Sequence, residues 1–210
     1  MESTYARALA LCEQVGDTSQ LFPVQSGLRT YYNLRAEYAT AHALGERLLR
    51  LAVDAQDPGL LVEAHGALGA SSFFQGDLAT SRAHQERVCS LYDPEQHHAH
   101  AFVYGLDPGI RGLNHLAWSL WYLGYPDQAR KRSQEALALA QKKSHPFSLA
   151  FTLAFTAQLH QFRRETQWAH ECAEATITLS SEQGLPFFLA WGTILQGWTM
   201  AEQGGKDSPK

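Results

Sequence analysis

Three histidines within four positions, His97, His98 and His100, are the densest set of chemically competent side chains in the sequence. Imidazole nitrogens bind zinc, copper or nickel, so the cluster invites a metal reading. A metal centre needs more ligands at matching spacing, and no second group of Cys, His or carboxylates accompanies the cluster. The favoured expectation is a structured loop in which Phe102 and Tyr104 pack onto neighbouring helices. His97, His98 and His100 stay as weak metal candidates, and no cofactor is assigned.

Other chemistry is sparse. Gly205-Lys206-Asp207-Ser208 lacks both the hydroxyl residue after lysine and the upstream glycine of a phosphate loop, and reads as a tail. No HExxH, GxSxG or GxGxxG motif occurs. His84-Gln85-Glu86 and Glu171-Cys172 fall where helical side chains meet solvent or a neighbour. Cys12, Cys89 and Cys172 are far apart and odd in number, which argues against a disulfide framework and for a reducing cytoplasm. A cysteine nucleophile would need a histidine brought to it by the fold. The expectation is a protein that is not an enzyme. The net charge of −4 is spread out, with no Lys/Arg stripe, which excludes nucleic acid as a partner. Neither an export signal nor an 18-residue apolar run is present, so no membrane partner is expected.

The elements that would position these residues repeat with a long period. In 113–143, Leu113, Leu116, Ala117, Leu120 and Leu123 mark one helical face; after Tyr125-Pro126, Ala129, Ala136, Leu137 and Ala140 mark another. Such a hairpin cannot bury both seams alone and needs neighbours. Leu21, Leu61, Leu149 and Leu189 are spaced by 40, 88 and 40 residues, and Pro58, Pro146 and Pro186 by 88 and 40. One copy therefore carries eight extra residues, which fall in 92–109. Gly69, Ala117, Ala157 and Gly197 form a small-residue series, with Gly76, Gly124 and Gly204 seven residues beyond. The first series lets paired helices approach closely; the second permits the positive φ of a tight turn. Helices are expected over 4–15, 20–35, 38–55, 58–75, 77–92, 108–123, 126–143, 146–162, 166–183 and 186–203. The fold class is all-α, with about ten helices in a roughly 40-residue repeat.

Leu68-Gly69 followed by Gly76-Asp77-Leu78, and Leu116-Ala117 followed by Gly124, Ala129 and Ala136, make the chain similar to tetratricopeptide (TPR) repeats, whose unit is 34 residues. The resemblance implies a right-handed α-solenoid of antiparallel hairpins: a truncated repeat in 1–16, full repeats in 17–56, 57–92, 108–144 and 145–184, an enlarged loop in 93–107, a first helix in 185–203 and a tail in 204–210. Because the register starts and stops in mid-hairpin, the chain reads as a fragment of a longer array, or else as a full chain with two atypical caps. The run YDPxxH…AFxYGxDPG, with LGYPDQA, SHPFSLAF, HQFRRE and LAWGTILQGW, resembles the helical-repeat region C-terminal to predicted ATPase modules in large bacterial signalling proteins, often fused to adenylate or guanylate cyclases. That likeness implies a regulatory arm and no catalytic residue.

Carried over by the same resemblance, the concave groove positions are Glu63, Phe74, Arg111, Asn114, Trp118, Trp121, Tyr122, Gln158 and Gln161, with Ala70, Phe73, Phe151, Phe162, Trp191, Ile194 and Trp198 around them. Aromatics and arginine dominate interface energetics. The tryptophans are also suited to packing between hairpins, which is the favoured reading for Trp118 and Trp121; Arg111, Asn114 and Tyr122 are the better recognition candidates. The function expected is a cytoplasmic protein-interaction scaffold that binds a peptide, another domain of its parent chain or a copy of itself. The alternative is a small-molecule or metal sensor that uses the aromatic groove or the histidine loop.

Overall fold

The computed structural model describes residues 2–15, 18–97 and 99–204. Among them every regular element is an α-helix, in the order α1 (Glu2–Val15), α2 (Thr18–Leu34), α3 (Tyr38–Ala55), α4 (Pro58–Phe74), α5 (Leu78–Leu91), α6 (His100–Tyr104), α7 (Pro108–Tyr122), α8 (Pro126–Lys143), α9 (Pro146–Phe162), α10 (Thr166–Gln183) and α11 (Pro186–Gly204). The chain is an all-α repeat solenoid. Helices pack as consecutive pairs, α2 with α3, α4 with α5, α7 with α8 and α9 with α10. The first helix of each pair, here called A, also packs on the A helix of the next pair; the second is called B. By register α1 is a B helix and α11 an A helix.

Local chemistry explains the boundaries. Prolines open α4, α7, α8, α9 and α11, where their fixed φ suits a first turn. Asp57, Asp77 and Asp107 cap α4, α5 and α7 by accepting from Gly59 and Leu60, from Thr80, and from Ile110 backbone N–H groups. The tight turn after an A helix takes positive φ at Gly76 (84°) and Gly124 (86°). The same position in the two other pairs holds Ala36 (61°) and Arg164 (59°), which bear a Cβ in left-handed backbone. Gly204, expected at such a turn, is instead the last residue of α11. Gly69 is small because Gln85 of α5 occupies the space its Cβ would need.

The eleventh helix, α6, lies inside the loop expected to be irregular. Tyr104 packs edge-on to Phe22 of α2 (6.0 Å), and His100 reaches Glu63 of α4. Phe102, expected to pack as Tyr104 does, is 79% exposed and meets only the edge of the His145 ring among described aromatic partners. Residues i and i+2 of a helix point to nearly opposite sides, so both rings cannot face inward. No helix is long and apolar enough to cross a membrane among the described residues.

Candidate binding surface

Four of the nine expected groove residues are buried rather than open. Glu63 binds Arg111 Nη2 through Oε2 (2.6 Å), and its Oε1 lies 2.9 Å from His100 Nδ1. Burial alone would raise the Glu63 carboxyl; the Arg111 charge and the hydrogen bonds from His100 and Arg111 outweigh it and hold it below the usual carboxylate range. Arg29 of α2 is buried in the same electrostatic environment. Its pKa is lowered to about 10, by burial and then by Arg111, against the opposing pull of Glu63. Asn114 donates to Ile110 O and to Thr152 Oγ1. Trp118 stacks on Phe155 at 4.0 Å and donates to Phe155 O (3.1 Å). These side chains stitch neighbouring A helices together, so Glu63, Arg111 and Asn114 are corrected from recognition positions to packing, and Trp118 holds the packing role favoured for it in the sequence. The physical reason is that successive A helices approach closely enough to pair most of these polar groups across the seam, with Arg111 Nε left without a hydrogen-bond partner among the described residues.

The remaining five stay at least partly accessible. Gln158 and Gln161 are half-buried and hydrogen-bond to each other, and Trp191 Nε1 donates to Gln158 Oε1. Trp121 is half-buried, with the Arg163 guanidinium 5.9 Å from its ring centroid. Phe74 and Tyr122 are 39% and 53% exposed. They belong to a set that side-chain type alone does not isolate. Leu34, Phe74, Tyr122 and Phe162 are the last residues of α2, α4, α7 and α9, one per pair at one register position. Leu34 is 73% exposed and Phe162 half-buried. Rings link the rungs: Tyr38 stacks on Phe74 (5.4 Å), Phe73 bridges Phe74 (5.4 Å) and Tyr122 (6.0 Å), and Tyr122 meets Phe162 (5.4 Å). Leu34 is absent from the sequence-derived set, although the 40- and 48-residue spacing of the turn positions two residues later points to it.

Other reactive groups are engaged structurally. His97 is buried, its Nδ1 accepts from Asp93 N (3.0 Å), and burial followed by the neighbouring His100 lowers its pKa. His98 lies outside the described residues, as does the tail around Lys206. Among the described residues no three or more His, Cys, Asp or Glu side chains form a group that could hold a metal. His65, unremarked in the sequence, faces His84 with Nδ1 atoms 2.9 Å apart, and burial then His84 lowers the His65 pKa to about 4. Burial pushes the Cys89 and Cys172 thiols up to about 11, the opposite of an activated nucleophile. A cleft of about 360 Å³ lies between α8, α9 and α10, bordered by Ser133, Thr156, His160, Trp168 and Cys172.

No known family model and no curated protein matches this chain. Among solved structures it is similar to BtubC (BKLC) from P. vanneervenii, with a TM-score of 0.70 and 17% sequence identity over 97% of this chain and 83% of that chain. At that identity the likeness concerns the fold, an arrangement of helices shared along almost the whole length.

Proposed function

We propose that the chain is a non-catalytic protein-interaction scaffold that receives a peptide or domain along the rungs Leu34, Phe74, Tyr122 and Phe162. The observation carrying this reading is that apolar side chains occupy one register position on four successive A helices, and three of them are more than a third exposed. Packed helices lie about 8–10 Å apart, close to the rise of about 10 Å over seven residues of α-helix. The fitting ligand is an amphipathic helix with an apolar residue every seventh position. The resemblance to tetratricopeptide repeats of signalling proteins makes domains of a parent chain one class of partner. Selection from a displayed peptide library tests this. Enriched peptides should carry that spacing and lose binding when Phe74→Asp and Tyr122→Asp are combined. No enrichment, or binders indifferent to both substitutions, would overturn the reading.

One observation favours a second reading, a small-molecule sensor: the α8–α10 cleft has the volume of a ligand pocket and an exposed Trp168 on its wall. Ligands that bind only the folded state raise the melting temperature with concentration. A flat response across a metabolite panel removes this reading and leaves the first intact.

A further inference from the structure

Where a B helix meets the hairpin that follows it, residues at equivalent register form a seam, and the seams differ in what fills them. Arg130, Leu153 and Cys172 are the counterparts, 88 residues on, of His42, His65 and His84. In the α3–α4–α5 seam His65 and His84 reach each other, and Ser71 Oγ lies 3.3 Å from His42 Nδ1. In the α5–α7–α8 seam Arg82, equivalent to Arg130, lies over the Tyr125 ring at 5.1 Å. In the α8–α9–α10 seam a leucine and a cysteine replace the imidazole pair. Glu165 stands where Tyr125 stands but is held by Arg163 (2.9 Å) and His160 (2.6 Å). Arg130 is exposed there, with no hydrogen bond or ion pair among the described residues. This seam is the one that holds the cleft of about 360 Å³, a volume within the range of small-molecule sites.

The walls of the cleft specify an occupant. Leu137, Leu153 and Leu159 supply apolar surface. The His160 and Trp168 rings are near parallel (26°) with centroids 6.2 Å apart, against 4.0 Å for Trp118 stacked on Phe155, so their faces are not in full contact with each other. Trp168 is 60% exposed and offers its face to a planar ring. Arg130 of α8 and Glu171 of α10 border the cleft from different helices. Glu171 accepts from Gln167 Nε2 (2.8 Å), and among the described residues it has no cationic partner. With Glu165 already paired, the cleft keeps one cation and one carboxylate without an opposite charge.

We infer that the cleft binds a small zwitterionic aromatic molecule of the aromatic amino-acid type, with its ring against Trp168, its carboxylate on the Arg130 guanidinium and its ammonium on Glu171. A ligand with only a carboxylate would lie beside Glu171 uncompensated, and one with only an ammonium would lie beside Arg130 in the same way. Helix α8 belongs to one hairpin and α9 and α10 to the next, so the ligand bridges two repeats inside the array. The inference names the ligand class of the sensor reading and rests on that reading.

Thermal shift and titration calorimetry on the 210-residue chain test this. L-phenylalanine and L-tryptophan should raise the melting temperature saturably. Phenylpropanoate, which lacks the ammonium, phenylethylamine, which lacks the carboxylate, and L-leucine, which lacks the ring, should each bind about tenfold more weakly or worse. Trp168→Ala and Arg130→Ala alter exposed side chains; each should keep the unliganded melting temperature and weaken L-phenylalanine by about tenfold. No saturable response to either aromatic amino acid, equal affinity for phenylpropanoate or phenylethylamine, or binding that survives either substitution overturns the inference. A metabolite of another class that stabilises the wild type and loses its effect in Trp168→Ala also overturns it, while leaving the sensor reading in place.

Discussion

Glu63, Arg111, Phe151 and Trp191 occupy one register position on four successive A helices, and the molecule fills it in two ways. Between α4 and α7 the position is an ion pair, completed by His100 from α6 and attended by Arg29. Between α9 and α11 it is aromatic: Phe151 stacks on Phe155 (4.2 Å), and Trp191 packs against Phe155 (5.4 Å) and Trp118 (5.9 Å). The repeat fixes where side chains meet and leaves their chemistry free. Rings contribute independently and tolerate replacement by other apolar groups, whereas buried charges depend on one another.

The largest expected effect comes from breaking the ionic half. Glu63→Ala leaves Arg111 and Arg29 buried without their carboxylate and should cost about 3–5 kcal/mol in urea unfolding. If the pair, rather than either charge, matters, the double variant Glu63→Leu with Arg111→Leu should recover much of the loss shown by Glu63→Leu alone. Equal losses in the two would erase the contrast. In the aromatic half, Trp118→Leu removes the stack and the hydrogen bond to Phe155 O and should cost about 3 kcal/mol, with no rescue by changes at Phe151.

Acid separates the halves next. His115, buried between Phe73 and Phe155, has its pKa lowered to about 4, first by burial and further by Arg111 and Arg29, against its hydrogen bond to Arg111 O. The unfolded chain takes up this proton below about 6.5 while the folded chain does not. The contribution of His115 is therefore constant above pH 6.5, and stability declines through it as pH falls from 6.5 towards 4. His115→Phe should make that decline shallower, by about 2 kcal/mol at pH 5; an unchanged slope would show that His65, His84 and His97 carry the effect. The smallest effect is local: Ala36→Gly relieves the left-handed backbone and should stabilise by about 1 kcal/mol in the same urea assay.

Much of the fold was legible because its signals are local. Prolines at first turns, aspartate caps and the Gly76 and Gly124 turns each act within a few residues, and they place ten of the helices to within two residues at each end. Helix α6 was not legible, since five residues are too few to show a period. The candidate site was half legible. Phe74 and Tyr122 do face solvent, but Glu63 and Arg111 lie 48 residues apart, and their union depends on how closely two A helices approach. Composition showed a polar pair on an apolar face; only the packing shows that each is the other's partner.

Helix α6 also alters how the solenoid would bend. In a regular array each repeat touches only its neighbours, so deformation spreads evenly, as along a coiled spring. Here α6 grips α2 through Tyr104 and α4 through His100 and reaches the cap of α9 through Phe102, while Lys143 at the end of α8 holds Pro94 in the same loop (2.6 Å). These ties bridge coils that would otherwise move separately, like a clamp across several turns. Elastic compliance is then concentrated outside the clamp, in α1 at one end and in α10 and α11 at the other, and a load applied along the axis stretches those ends first.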